Sequence, residues 1–209
     1  RSGRPVFDLE SLRDIEPVEP DRGYLKNQMG RNNYTFINDG GALAIYEFPD
    51  IGETYVIGAD VAEGLGHGDY SSAHVISANT GLVVAHWHGH VDADLFGEEI
   101  LHAIGFFYNY ALVGIESNNH GLTTIKGLQR TGYKNIYRSR KLGQRNPTIT
   151  ETMGWRTTSV SKPLAIDELN ASIRDQALWL YDYNTIAELR TFVREANGKM
   201  HGSPHDDRV

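Results

Sequence analysis

Two acids stand at the ends of short apolar runs. Asp60 closes Tyr55-Val-Ile-Gly-Ala, and Glu116 closes Ala111-Leu-Val-Gly-Ile. If these runs are neighbouring parallel strands, both carboxylates emerge at the carboxyl edge of one sheet, where α/β proteins build their sites. Adjacent ionised carboxylates repel each other unless a cation neutralises them. Cysteine is absent, which removes thiolate sites. An oxygen-only donor set selects a hard ion, Mg²⁺ or Mn²⁺. Two such ions, about 3.5–4 Å apart, can stabilise both the attacking and the leaving oxygen of a phosphodiester displacement. A third carboxylate is then needed, and the Asp206-Asp207 pair offers one. Each acid also has a plainer reading. Asp60 could be a turn residue before a glycine loop, Glu116 could help cap the next helix, and Asp206-Asp207 could be a solvated tail.

Other motifs carry less. The loop Glu63-Gly-Leu-Gly-His-Gly68 matches neither a dinucleotide fingerprint nor a phosphate-binding loop, and a hairpin rather than a helix is expected after it. No GxxxxGK[ST] occurs in the chain, so no ATPase motor is expected. Asp69 shapes this loop or assists the ion site. His86, His88 and His90 alternate on a strand and its exit. That pattern puts them on one face, where they could bind a metal but read more simply as a solvated sheet face. Lys126, Arg130, Lys134, Arg138, Arg140, Lys141, Arg145, Arg156 and Lys162 share their stretch with a single acid, Glu151. This basic run can hold phosphates, or it can be a solvated face.

The elements that must position these groups follow from periodicity. Residues 1–30 are polar and without a lasting apolar period, and read as an arm with one short helix at Leu9 to Ile15; the expected division is an arm or linker over 1–34 and one domain over 35–209. Ala42 to Phe48 and Thr54 to Ala59 read as strands. Ser71 to Ala78 and Leu82 to His88 form a hairpin joined at Asn79-Thr-Gly81. Asp92 to Asn109 is helical, Ala111 to Ile115 is a buried parallel strand, and Asn118 or Asn119 opens a helix that Gly132 closes. Asn135 to Arg138 reads as a short strand, and residues 139–160 as an excursion outside the main sheet, such as a β-hairpin. Ser161 should cap a helix with Pro163 in its first turn and Leu164, Ala165, Leu169 and Ile173 facing inward. Leu178 to Tyr181 is extended, and Asn184 to Ala196 is a last helix. The expected fold is α/β: a mixed sheet of three antiparallel strands followed by parallel ones, with helices on both faces.

The bulk numbers agree with a soluble chain. At 209 residues, 40% hydrophobic and 22% charged, the chain has the make-up of one ordinary globular domain. No apolar run approaches the ~20 residues of a membrane helix. The opening Arg1-Ser-Gly-Arg-Pro lacks a signal-peptide pattern. A net charge of −7 argues against purely electrostatic nucleic-acid binding, although the basic stretch counters that locally.

Four motifs, in order, resemble the nuclease domain of tailed-phage large terminases. They are Tyr55-Val-Ile-Gly-Ala-Asp-Val-Ala-Glu-Gly with Gly68-Asp-Tyr-Ser-Ser; Val113-Gly-Ile-Glu-Ser-Asn-Asn-His-Gly; Gly154-Trp-Arg-Thr-Thr-Ser with Ser161-Lys-Pro; and His205-Asp-Asp-Arg-Val. The resemblance spans about residues 35–209 and implies a ribonuclease-H-like fold. It also implies a metal-dependent endonuclease that cuts double-stranded viral DNA concatemers with little sequence preference, using two Mg²⁺ or Mn²⁺ ions. Carried over, Asp60, Glu116 and Asp207 are the catalytic metal ligands, Asp206 is a further ligand, and Asp69 and His205 are auxiliary. Lys126, Arg130, Arg138, Arg140, Lys141, Arg145, Arg156 and Lys162 would contact DNA. The implied partners are DNA and a packaging ATPase domain of the same protein, with the portal and small terminase as further candidates. The implied setting is the host cytoplasm, with no membrane. The sequence departs from the family's full protein by lacking the ATPase part and by ending at the third acidic motif, which reads as an isolated domain or a fragment. Three rival readings remain: a junction resolvase or integrase-like nuclease of the same fold, an actin-like nucleotide-binding domain, and a non-catalytic docking module of the packaging motor.

Overall fold

The computed structural model describes residues 3–30, 32–62, 70–142, 149–202 and 208–209, with residues 119, 141, 142 and 149 described through their backbone alone. Seven strands form the main sheet in the order β3-β2-β4-β7-β6-β5-β8. They are β2 (Asp21–Asn27), β3 (Tyr34–Ile37), β4 (Leu43–Ile45), β5 (Tyr55–Asp60), β6 (Ser71–Ser77), β7 (Val83–Gly89) and β8 (Leu112–Ile115). The expected hairpin is present: β6 and β7 pair antiparallel, and β5 pairs antiparallel with β6. β8 then joins β5 in parallel, with Ala59 opposite Ile115. The sheet is therefore mixed, as the strand pattern implied.

Helices cover both faces. On one, α2 (Ala93–Leu95), a π-wound stretch over Phe96–Leu101 and α3 (His102–Phe107) run on from one another, beside α4 (Asn119–Arg130). Phe96, Leu101, Ile104, Ile125 and Leu128 pack there against Ile57, Val75, Val113 and Ile115. Close approach of the two helical stretches depends on glycine: a Cβ on Gly97 would sit 2.2 Å from the Thr124 carbonyl oxygen, and one on Gly127 would sit 2.5 Å from that of Asp94. On the other face, α1 (Leu9–Arg13), α5 (Ser161–Arg174) and α6 (Tyr183–Thr191) bury Leu12, Ile166, Ile173, Ile186 and Leu189 against Val83 and Ile76. Burying both sheet faces is the main favourable term, at roughly 25 cal/mol per Å² of apolar surface.

Several expectations need correction. Residues 4–27, read as an arm, are packed. Asp8 caps α1, Phe7 and Leu12 are buried, and β2 is second from the sheet edge. β1 (Arg4–Pro5) pairs with β11 (Val193–Arg194), which pairs in turn with β12 (Met200–His201). The chain leaves the last helix at Phe192 to make β11, so that helix is shorter than its apolar period. Leu164 points outward, 61% exposed, while Ile166 takes the buried position. Ser161 is already helical; its backbone N–H donates to the Thr158 hydroxyl, which does the capping. The strand expected at Asn135 to Arg138 is reduced to a bridge from Ile136 to Val113. The expected excursion is an antiparallel ribbon of β9 (Arg138–Leu142) and β10 (Ile149–Met153), separate from the main sheet.

Candidate active site

Asp60 is the last residue of β5, and Glu116 follows the last residue of β8. Because Ala59 and Ile115 are register partners, the two acids occupy the next step of the same parallel pair. The Glu116 N–H donates to the Ala59 carbonyl at 3.0 Å, which carries that register one residue further. Both acids line one cleft of about 660 Å³, with Asn118, Tyr137, Trp155 and Lys162 among the other walls. The cleft opens at the carboxyl ends of parallel strands, as the sequence pattern required.

Local backbone chemistry fixes Glu116 from three sides. β5 holds its N–H. On the opposite side, Trp155 N–H donates to Ile115 O at 2.8 Å, and Ser117 N–H donates to Trp155 O at 2.6 Å. Gly154 makes this approach possible: its φ is +79°, and a Cβ there would lie 2.5 Å from Ile115 O. From behind, α4 presses against it. Asn118 caps that helix by accepting from Gly121 N–H at 2.7 Å, and a Cβ on Gly121 would lie 1.7 Å from the Glu116 carbonyl oxygen. Asp60 accepts a hydrogen bond at Oδ1 from the Val61 N–H at 2.8 Å, and Ala62 N–H donates to the Ser71 hydroxyl at 3.1 Å, fixing the strand exit.

The basic residues divide. Lys162, in the first turn of α5, lines the cleft. Arg156 lines an adjoining hollow that also contains Glu116 and Asn118. Arg138 and Arg140 stand on the ribbon beside Glu151, with Arg140 Nε 2.9 Å from its carboxylate. Lys126 and Arg130 are exposed on α4 and do not line the cleft. Arg130 pairs with Glu98 and Asp94, about 16 Å along the helix from Asn119. Lys141 lies in β9, described by its backbone alone. Asp69, Arg145, His205, Asp206 and Asp207 lie outside the described residues. Among the described residues, no group of three or more His, Cys, Asp or Glu could hold a metal ion. The structure thus brings together two of the expected carboxylates and one lysine.

The histidine face is covered at His86 and partly at His88, while His90, just past β7, stays exposed. Asp60, Ser72 and His88 are successive cross-strand partners, and so are Gly58, His74 and His86. These rows face α5 and α6, whose cover the sequence pattern could not supply. His86 is 4% exposed and stacks on His74 at 4.5 Å, while Tyr70 stacks on His88 at 4.4 Å. Burial pushes all three histidines down: His74 and His88 to about 4, and His86, also repelled by His74, to about 2. They are neutral at pH 7. Asp182, the cap of α6, closes the face. Burial raises its pKa, but hydrogen bonds from the Thr185 hydroxyl and N–H, both 2.7 Å, outweigh that, together with a hydrogen bond from Tyr46 at 3.0 Å. The net shift is downward, and Asp182 is anionic. Arg208 lies against this group, and a second cleft of about 360 Å³ is lined by Asp60, Ser72, His74, Thr185 and Arg208. Sequence reasoning missed Tyr137 and Asp182, and named Arg208 only inside the resembling motif His205-Asp-Asp-Arg-Val. Asn118 was legible as a cap, and Trp155 as part of a resembling motif.

Searches found no matching family model and no matching curated relative. Solved structures do match. The large terminase nuclease of thermophilic phage G20c with bound magnesium superposes with a TM-score of 0.69 at 18% identity, covering 100% of this chain and 94% of that one. Its cobalt-bound form gives 0.70 at 19% identity, with 100% and 94% covered. The nuclease domain of Thermus phage P74-26 gives 0.64 at 20% identity, with 98% and 90% covered. The chain therefore has the fold of these large terminase nuclease domains.

Proposed function

We propose that this chain is a divalent-metal-dependent endonuclease that cuts double-stranded phage DNA during genome packaging. The observation that carries the proposal is that Asp60 and Glu116 both occupy the step after the Ala59–Ile115 pair of the parallel strands β5 and β8, on one cleft with Lys162. The donors present fit a hard divalent ion: carboxylate oxygens at an open cleft, with no thiolate in the chain. The same fold carries bound magnesium and cobalt in the G20c nuclease. When bound, one or two Mg²⁺ or Mn²⁺ ions would supply Lewis acidity at the scissile phosphate. Asp60 and Glu116 would hold them, with Asp207 as third ligand, Asp206 as a further one, and Asp69 and His205 assisting. Lys162 and Arg156 would grip phosphates beside the acids, and the ribbon with Arg138 and Arg140 would extend that grip. Backbone contacts of this kind position DNA without reading its sequence, so cutting should be weakly specific. The partners on this reading are DNA, a packaging ATPase domain of the same protein, the portal and the small terminase, in the host cytoplasm. Among the described residues, no helix is long and apolar enough to cross a membrane.

The test is incubation with supercoiled plasmid, with Mn²⁺, Mg²⁺ or chelator. Nicking and linearisation with either metal, lost with chelator and in Asp60→Asn, is the expected result. Wild-type cutting by a folded Asp60→Asn would remove the assignment. Strong preference for four-way over linear DNA would favour a junction-resolving enzyme instead.

A further inference from the structure

Trp155 is the largest aromatic residue on the wall of the Asp60–Glu116 cleft, and it is 41% exposed. An indole ordinarily contributes through buried apolar area, as Trp87 does at 7% exposure, packed 5.1 Å from Phe96. Trp155 is exposed although its backbone is firmly held. Its N–H donates to Ile115 O at 2.8 Å, and its carbonyl accepts from the Ser117 N–H at 2.6 Å and from the Ser117 hydroxyl at 3.1 Å. These bonds make Glu116 and Trp155 parallel bridge partners. Trp155 therefore stands one strand spacing, about 4.8 Å, beyond Glu116 on the side away from β5. Tyr70, which lines the same cleft, is already stacked on His88 and His90, with ring centroids 4.4 and 3.9 Å away. Among the described residues, Trp155 has no ring contact. Cations flank it: Lys162 shares the cleft, and Arg156 lines the adjoining hollow with Glu116. A flat aromatic face beside cations suits a single nucleic-acid strand, with a base on the ring and phosphates on the charges.

We propose that Trp155 is a stacking platform for one base next to the cut phosphate, so that the cleft takes a single strand whose base is unstacked there. The inference rests on the nuclease reading of the cleft and names the form of DNA it accepts. In an intact duplex each base already has neighbours on both faces, so an indole can cover one only where the stack opens. Opening costs least at a mismatch or a melted pair. The platform therefore favours DNA that is already locally open. It does not read sequence, since every base offers a π-face.

The test keeps binding and cutting apart. Binding uses an oligothymidylate of about 12 nucleotides and an abasic strand of the same length, at low salt in chelator, followed by anisotropy and tryptophan fluorescence. The oligothymidylate should quench the wild type and Trp179→Phe, whose position does not line the cleft, but not Trp155→Leu. Affinity for it should fall about 5- to 150-fold in Trp155→Ala and Trp155→Leu, with part recovered in Trp155→Phe. Affinity for the abasic strand should be the same in all of them. Absent quenching in the wild type, unchanged oligothymidylate affinity in Trp155→Ala, or an equal loss on the abasic strand would each overturn the platform. Cutting in Mn²⁺ compares a duplex carrying a central unpaired bubble with its fully paired counterpart. The wild type should prefer the bubble, and Trp155→Ala should lose that preference. A wild type that cuts both alike would overturn the unstacked-strand requirement. Should Trp155→Ala fail to fold, Trp155→Leu decides by the same criteria. A wild type that stacks oligothymidylate but never cuts DNA would remove the nuclease reading and uphold the platform.

Discussion

Gly121→Ala sets two effects of opposite sign against each other. Gly121 lies inside α4, where alanine is favoured over glycine by about 1 kcal/mol. Propensity alone therefore predicts a more stable protein. The packing says otherwise. A Cβ at position 121 would sit 1.7 Å from the Glu116 carbonyl oxygen and 3.2 Å from Asn118 Oδ1. Contacts below 3.0 Å force movement, so the helix start and the Glu116 backbone must separate by more than 1 Å. Both partners are main chain, and Glu116 is tied on its other sides to Ala59 and the Trp155 segment. Overpacking of this kind costs about 1–3 kcal/mol, which outweighs the propensity gain or cancels it. The functional effect should be larger than the stability effect, because a displacement of about 1 Å at a reacting group can lower rates on the order of 100-fold. The assay pairs thermal unfolding with plasmid nicking in Mn²⁺. Thr123→Ala, on an exposed position of the same helix, serves as the propensity control and should be stabilising by a few tenths of a kcal/mol. A Gly121→Ala protein that is stabilised like the control and cuts at the wild-type rate would refute the claim that α4 seats Glu116.

Acid should weaken the fold well above the carboxylate range. His86 is held neutral with a pKa of about 2, against 6.5 when unfolded, so the unfolded state takes up the proton first. Its contribution is intact above pH 6.5 and is lost as pH falls towards the folded value; by pH 5 the loss is about 2 kcal/mol, set almost wholly by the unfolded pKa. His74, also buried, adds in the same direction. Unfolding temperatures measured from pH 7.5 to 5 should drop steadily, and a flat profile would contradict the buried histidine face. Lys162→Ala should weaken DNA binding with little dependence on sequence and lower the salt slope by about 1. Filter binding or fluorescence anisotropy at several salt concentrations checks this; an unchanged slope would take Lys162 out of the DNA contact set.

The parts of the site that sequence exposed are those written in strong local patterns. Asp60 and Glu116 each end an apolar run, and a buried parallel pair leaves its terminal acids at one edge. Asn118 announced its cap, and Asn79-Thr-Gly81 its hairpin. The parts it concealed depend on neighbours distant in the chain. β2 reads as polar because outer strands of this sheet stay largely exposed; of its seven residues, only Gly23 is buried. The alternation of His86 and His88 correctly placed them on one face, but alternation cannot say what covers that face. Here α6 does so, with an acid at each end of its contact. Arg208 gave no local signal, since its partners Glu188 and His88 lie 20 and 120 residues away. The inward side of α5 was misjudged at Leu164, which sits two positions before the buried Ile166 and hence about 200° round the helix.

Crystals soaked in Mn²⁺ would address the central claim most directly, through anomalous diffraction at the manganese edge. The account predicts a peak within coordinating distance of both the Asp60 and Glu116 carboxylates, about 2–2.5 Å from their oxygens, and no such peak in Asp60→Asn crystals. Manganese bound elsewhere, with the Asp60–Glu116 cleft empty in a wild type that still cuts DNA, would contradict it.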